Sequence, residues 1–491
     1  MYNKTVFIIL GALNVLAFSP FNLWWVSIAS LSLMLVLFDQ YRGEGFKIGF
    51  LYGLGMFGAG VSWIFNSLYD YGEAPFIAAA VMVIVSTLVL SIFLALMMKL
   101  FDILQSNQTS TRVICFVSIW VLIEWIRSWI LTGFPWLLLG HTLVDSPLKG
   151  VVSVFGTFGG SALIAFLSIA VFEMVNAKKQ FIESWVLTIS IVIAAAMLLS
   201  TIEWTDQVSD KPIKVAAVQA NIPFEMKWDK SRRNDVYQAY VDLTKPYIDS
   251  DIIVWPETAI PTFYRVANQG FIPLYEKELM RNNAELISGV FTYEPGTERI
   301  FNSFVTLGGD RQFYSKKHLV PFGEYIPLRF IFNFFQTIVT IPMSDLYPGE
   351  GSSILTMNNI PVGVSICYEV TFGEEILHAL PQAQLLVNVS NDAWFGDSLA
   401  PHQHLQIARV RALETGRYMV RATNTGVSAL IDPQGRIVRQ SGQFVEEVVS
   451  GHVWAMKGRT PFIIWGNWAI IIIMSGLLLL VFVQFRKSKT A

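Results

Sequence analysis

Apolar positions fall into two patterns along the 491-residue chain. Residues 1 to about 201 and 463 to 485 are long, nearly unbroken apolar runs, whereas residues 205 to 460 alternate short β-branched runs with polar segments of helical period. A helix needs about 20 apolar residues to cross roughly 30 Å of hydrocarbon. By that measure the stretches 4–20, 22–38, 46–66, 76–101, 112–131, 151–175, 183–201 and 463–485 predict eight transmembrane helices. The first two are separated only by SPFN, whose Pro20 favours a tight turn over one very long helix. Lys4 before the first run gives it the look of a signal peptide, but no small-residue cleavage site precedes the next run, so a retained helix is expected.

Between these runs, IKVAAVQA, DIIVWPE, AELISGV, NSFVTLGG, PVGVSICYE and AQLLVNVS read as strands, and 230–248, 271–283 and 402–417 as helices. YMVRATN followed by VSALIDPQG reads as a hairpin with a Pro-Gly turn. The expected organisation is a membrane domain of seven helices over 1–204, an α/β layered domain over 205–460 with its own core, and a last transmembrane helix with a tail over 461–491.

Composition agrees with this division: 53% of residues are hydrophobic and only 15% charged, outside the usual range of soluble domains. A net charge of -2 gives no electrostatic basis for binding nucleic acid. Charge placement does carry information. Lys4, Arg42, Lys47, Lys99, Arg112, Lys178, Lys179, Arg486, Lys487 and Lys489 all fall on one side of the predicted spans, and opposite loops such as YDYGEAP are nearly free of Lys and Arg. Both termini are therefore expected in the cytoplasm, with 205–460 on the far side of the membrane. Within the fifth span, Glu124 and Arg127 are expected to form a self-satisfied pair near the outer interface, Arg127 snorkelling outward.

Three predicted strand ends carry chemistry that a purely structural sheet does not need. Glu257 follows DIIVW, Lys316 stands in YSKKHLVPFGEY, and Cys367 ends PVGVSI. Side chains at the carboxyl ends of α/β strands converge on the usual ligand crevice. There a carboxylate can take a thiol proton, an ammonium can favour thiolate and oxyanion, and the thiolate can carry an acyl group. Cys115 lies in an apolar run, too different in environment to pair with Cys367, so a free Cys367 thiol is expected. Taken singly, each residue has a bland alternative: a core cysteine, a solvated glutamate, a surface lysine pair with Lys317. Glu324 and Glu369 read as ordinary loop acids.

Together, Glu in VWPETAI, Lys in YSKKHL and Cys in ICYE resemble the Glu-Lys-Cys triad of the nitrilase, or carbon-nitrogen hydrolase, superfamily. RALETGRYMVRATNTG, with Arg411, Glu414 and Asn424, resembles that superfamily's supporting segment. The flanking HLVPFGEYIP, CYE, GFPWLLLGH at 133–141 and AFSPFNLWW are similar, over nearly the whole chain, to the family of apolipoprotein N-acyltransferases of bacterial lipoprotein maturation. Ala220 stands where that family usually shows glycine. The resemblance implies a nitrilase-like αββα sandwich on a membrane-spanning base, in the inner membrane with the catalytic domain on the periplasmic side. It implies Glu257 as general base, Lys316 as electrostatic stabiliser and Cys367 as nucleophile, supported by Glu324 and Glu369. Trp228, Tyr368, Trp394 and Phe395 would line or cover the acyl-chain entrance, with 390–400 as a lid. The implied partners are a phospholipid acyl donor, a diacylglyceryl apolipoprotein acceptor and the membrane, with no nucleic acid; a monomer is expected.

Two rivals share these residues. A membrane-tethered amidase or nitrilase would use the same triad with water as acceptor, and a transporter or receptor would only bind a ligand there. No cofactor is expected. The glycine-rich GLGMFGAG at 53–60 lies in a span, where small residues permit close helix packing. His402 and His404 lack further ligands at metal spacing and are expected as solvated residues at a helix start.

Overall fold

In the computed structural model, which describes residues 3–327 and 345–490, all eight apolar runs are helical. Among the described residues, five helices are long and apolar enough to cross a membrane: Phe76–Leu104, Thr109–Arg127, Gly150–Asn176, Lys179–Leu199 and Trp468–Lys487. Gly45–Gly60 and Ile64–Tyr71 together form a broken sixth, and Val6–Ala17 and Trp25–Tyr41 are shorter apolar helices. Hydropathy located both of these, but the first ends at Ala17 rather than at residue 20 and the second runs Trp25–Tyr41 rather than 22–38, each closing in a 3-10 turn. Ile77, Ile84, Val85, Val89 and Ile92 stay exposed along Phe76–Leu104, which suits a helix whose backbone polar groups are satisfied internally and whose side chains face lipid.

The chain divides into two compact units. The first comprises Met1–Phe65, Phe76–Glu203 and Ile464–Ala491; the second comprises Asn66–Pro75 and Trp204–Ile463. Asn66–Pro75, which hydropathy grouped with the membrane part, thus packs with the second unit.

In the first unit the glycines of Gly45–Gly60 allow backbone contact. A Cβ at Gly55 would stand 1.9 Å from the Ile8 carbonyl oxygen, and one at Gly49 would stand 2.2 Å from that of Leu94. Glu124 and Arg127 are both buried, so Arg127 does not snorkel. Glu124 Oε1 accepts from Trp120 Nε1 and the Leu139 N–H, each at 3.0 Å. Arg127 Nη1 donates to the carbonyls of Phe134 at 2.9 Å and Trp136 at 2.7 Å. The irregular 134–139 segment leaves backbone groups unsatisfied inside an apolar bundle, and these two side chains meet that need.

The second unit contains, among the described residues, fifteen strands: β1 Thr205–Gln207, β2 Ile213–Gln219, β3 Ile252–Val254, β4 Ile260–Phe263, β5 Glu285–Tyr293, β6 Ile300–Leu307, β7 Phe313–Ser315, β8 Ile354–Met357, β9 Ile360–Ile366, β10 Leu385–Ser390, β11 Met419–Thr423, β12 Ala429–Ile431, β13 Ile437–Gln440, β14 Glu447–Val453 and β15 Met456–Gly458. One sheet runs β14-β2-β3-β5-β6-β7, with β4 also on β5; the other runs β13-β12-β11-β10-β9-β8; β1 pairs with β15. Each large sheet has a parallel centre, β2-β3-β5 in one and β9-β10-β11 in the other, flanked by antiparallel strands.

Residues such as Val215, Val254 and Ile287 of the first sheet pack against Val364, Val387 and Val420 of the second in one core. Helices cover the outer faces. Phe271–Arg281 buries Ile272, Tyr275 and Leu279, spaced three and four apart, against the first sheet. Ala400–Thr415 places Leu405, Ala408 and Ala412 against the second. The layering is αββα, and the central strands read as continuous β-branched runs because both their faces are covered. The Pro-Gly turn at 432–435 joins β12 to β13 rather than closing β11 onto β12. Asp432 Oδ1 accepts from the Gln434 and Arg436 N–H groups there, at 2.9 and 2.8 Å.

Candidate active site

Glu257 lies three residues beyond β3, Lys316 directly after β7 and Cys367 directly after β9. β3 and β9 in the parallel centres and the edge strand β7 therefore bring their carboxyl ends to one place. Gly289 on β5 lets the Glu257 loop cross the sheet closely: a Cβ there would lie 2.2 Å from Thr258 N and 2.7 Å from Glu257 Cα. Lys316 is tied down by its own N–H, which donates to the Asn302 carbonyl at 2.8 Å. Cys367 takes a left-handed φ of 52°, uncommon for a residue with a Cβ.

The polar groups interlock. Glu257 Oε1 accepts from Asn302 Nδ2 at 2.6 Å, and its Oε2 accepts from the Asn391 N–H at 2.8 Å. Lys316 Nζ lies 3.9 Å from Glu257 Oε1 and binds Glu324 with both oxygens, at 2.9 and 2.8 Å. Asn302 Nδ2 also reaches Glu324 Oε1 at 3.2 Å and so bridges the two carboxylates. Burial works against the Lys316 ammonium, but Glu324, Glu257 and Cys367 together outweigh it and hold its pKa above the usual lysine range. Lys316 remains a cation.

Burial pushes the Cys367 thiol up to about 12, the Glu257 charge adds to this and Lys316 opposes it. The resting group is a thiol, and forming a thiolate there requires a base within reach. Glu369, two residues on, closes the turn after β9. Its Oε2 accepts from the Ile366 N–H at 2.6 Å, and its Oε1 from Tyr314 Oη at 2.8 Å, the Lys317 N–H at 2.6 Å and the His318 N–H at 3.2 Å. Burial raises its carboxyl to about 7, with the N–H groups of Ile366 and Lys317 opposing.

The four aromatic residues expected at the entrance divide into separate groups. Trp228 and Trp394 flank Phe224, with ring centroids 6.4 and 5.3 Å away, and Tyr71 stands 5.6 Å from Phe224. Trp228 also lies 6.0 Å from Phe291. Tyr368 instead packs against His318 and Phe372, at 5.7 and 5.1 Å, while Phe395 meets His404 edge-on at 6.0 Å. The loop carbonyls of Trp394 and Phe395 accept from Ser67 Oγ at 2.7 Å and Asn66 Nδ2 at 3.2 Å.

His404 is not solvated. It is 1% exposed and packed against Asp392 and Arg421, themselves fully buried. Sequence reading missed this group, along with Asn302 and Lys227. Lys227 Nζ is buried and donates to the Glu257 carbonyl at 3.0 Å; burial lowers its pKa to about 8, with Glu257 opposing. The available signals were Arg421 in the middle of an otherwise apolar strand and Lys227 beside Trp228.

These two sheets, with a glutamate, a lysine and a cysteine gathered at their carboxyl ends, define a carbon-nitrogen hydrolase domain joined to a unit of apolar helices. Residues 214–456 match the carbon-nitrogen hydrolase family, and residues 10–170 match the apolipoprotein N-acyltransferase N-terminal domain. Two similar proteins named apolipoprotein N-acyltransferase come from Methylococcus capsulatus and Coxiella burnetii. The first is 38% identical over 98% of this chain and 96% of its own, the second 36% identical over 98% and 100%. Among solved structures, Saccharomyces cerevisiae Nit3, of the nitrilase superfamily, is 20% identical over 52% of this chain and 92% of its own, with a TM-score of 0.36. The chain belongs to the apolipoprotein N-acyltransferase family.

Proposed function

We propose that this protein transfers an acyl chain from a membrane phospholipid to the N-terminal amine of a diacylglyceryl-cysteine apolipoprotein, through a thioester on Cys367. The observation that carries the reading is the cluster of buried Glu257 and Lys316 with the half-buried Cys367, in a chain that matches apolipoprotein N-acyltransferases over 98% of its length. Glu257 takes the thiol proton as sulfur attacks the ester carbonyl. Lys316, kept cationic by Glu324, faces the charge that develops on the carbonyl oxygen. The carbon–oxygen bond breaks, and lysophospholipid leaves with the proton from Glu257. The amine then attacks the thioester, Glu257 receives its proton, the carbon–sulfur bond breaks and the thiol is restored.

Glu324 and Glu369 support this machinery, the first by holding Lys316 and the second by fixing the turn that presents Cys367. Trp228, Trp394 and Phe395 border the acyl-chain route, and 390–400 acts as the lid that keeps water from the thioester. Tyr368 stiffens the nucleophile turn. The membrane part is read as Met1–Phe65, Phe76–Glu203 and Ile464–Ala491, and the catalytic part as Trp204–Ile463 together with Asn66–Pro75. The Lys and Arg residues at the ends of the apolar helices support a reading in which 205–460 lies on the periplasmic face of the inner membrane with both termini in the cytoplasm, and in that reading the chain works as a monomer. At that surface the lipid ester and the anchored amine lie at the same depth, which favours this reading over hydrolysis of a small amide.

The test is intact-protein mass spectrometry of wild type and Cys367→Ala after incubation with phospholipid. A long-chain adduct on wild type alone, removed by hydroxylamine, is expected. A folded wild type that gains no adduct would overturn the reading.

A further inference from the structure

Cys367 holds a left-handed backbone, with φ at 52°, which L residues disfavour, so neighbouring contacts have to hold it there. The chain before it is fixed by β9 and by the Ile366 N–H bond to Glu369. The peptide after it is held by His404, whose Nε2 lies 3.2 Å from the Cys367 carbonyl oxygen. Because a peptide is planar, fixing that carbonyl fixes the plane, and the two anchors together set the direction in which Cβ and Sγ leave the chain.

The surroundings determine which imidazole nitrogen carries the proton. Nδ1 lies 3.0 Å from Arg421 Nη2 and 3.1 Å from Asp392 Oδ1. Arg421 can only donate, and its Nη2 also donates to Asp392 Oδ2 at 2.9 Å. The Cys367 carbonyl can only accept, so the 3.2 Å contact to Nε2 requires a proton on that nitrogen, and Asp392 Oδ1 accepts from Ser390 Oγ at 2.6 Å. Burial and the Arg421 charge hold His404 below its ordinary pKa, so the ring is neutral. A neutral ring that accepts from Arg421 through Nδ1 has its one proton on Nε2, pointed at the Cys367 carbonyl.

We propose that His404 is a positioning residue for the nucleophile: its Nε2–H holds the Cys367 carbonyl, in a tautomer fixed by Arg421 and Asp392. Asp392 also opens the 392–395 turn of the loop that carries Trp394 and Phe395, so one buried carboxylate anchors both the nucleophile's support and that loop. The proposal rests on the thioester reading above.

The test follows acyl-adduct formation on Cys367 of the full-length protein in mixed micelles of dioleoyl phosphatidylethanolamine and phosphatidylglycerol. A glutamine amide can stand in for Nε2 and an asparagine amide only for Nδ1. His404→Gln is expected within about tenfold of the wild-type rate and His404→Asn slowed by about 100-fold, at unchanged half-saturating lipid. Equal rates in the two variants, or a wild-type rate in His404→Asn, would overturn the proposal. If His404→Asn does not fold, Arg421→Lys decides: slowing with a normal melting temperature supports the tautomer argument, and an unchanged rate refutes it. Misfolding of all three variants would assign the group a purely structural role and also refute it. A wild type without adduct would instead overturn the thioester reading itself.

Discussion

Glu257 is held from both sides before any substrate arrives, by Asn302, the Asn391 N–H and, through its backbone, Lys227. In the proposed role of base, a carboxylate fixed in this way meets its proton without reorganising, and its removal is expected to act on chemistry rather than on binding. Glu257→Gln should slow thioester formation by roughly 10² to 10⁴-fold with little change in the lipid concentration for half-saturation; normal accumulation of adduct would exclude Glu257 as the base. The raised pKa of Cys367 gives a second expectation. A thiol ionising near 12 is almost wholly protonated at pH 8, so iodoacetamide should label the resting enzyme far more slowly than an exposed cysteine. Its labelling rate should keep climbing about tenfold per pH unit beyond pH 9, where an ordinary thiol levels off. A plateau near pH 8.5 would show that Lys316 outweighs burial and the Glu257 charge.

At the scale of elements, strand ends and helix faces explain most of the arrangement. Glu257 and Cys367 were legible as candidates because each follows a recognisable strand, where polar residues stand out; Lys316 follows the short strand β7, which the pattern did not announce, and was singled out by the YSKKHL motif. The His404 group was not legible, because its members are recruited from β10–β11 and a helix start and have no common spacing. Arg421 and Asp392 find each other 29 positions apart at 2.9 Å, a contact that local periodicity does not encode. The glycine-rich helix Gly45–Gly60 shows the opposite case, since its pattern announced close packing and the structure names the partners. Gly55→Ala should destabilise the protein by about 1–3 kcal/mol, as a Cβ 1.9 Å from the Ile8 carbonyl forces the helices apart. Gly476→Ala, which meets nothing within 4 Å, should leave the melting temperature unchanged or raised. A melting comparison in detergent of the two variants checks this.

For the whole molecule, the arrangement of charges along the spans predicts sidedness. Asn3 and Ser209 are both exposed. In a background lacking Cys115 and Cys367, Ser209→Cys should react with an impermeant maleimide in intact spheroplasts, and Asn3→Cys only after permeabilisation. The reverse pattern would invert the orientation proposed here. Hydropathy identified where the chain is apolar, but not that Asn66–Pro75 would leave the helical unit to pack with the second. Ser67 and Tyr71 there contact the Trp394 loop through one hydrogen bond and one ring pair.

The sequence alone determined the division into apolar helices and an α/β domain, the order of the main strands and helices, and the three residues that carry the proposed chemistry. These follow from hydropathy, period and residue type, which are local properties of the chain. Tertiary structure decided which polar side chains became buried partners: Arg127 for a loop inside the helices, Asn302 and Glu324 around Lys316, and His404 behind Cys367. Burial and pairing depend on groups brought together from distant positions, where removal of water makes each unmet hydrogen bond costly.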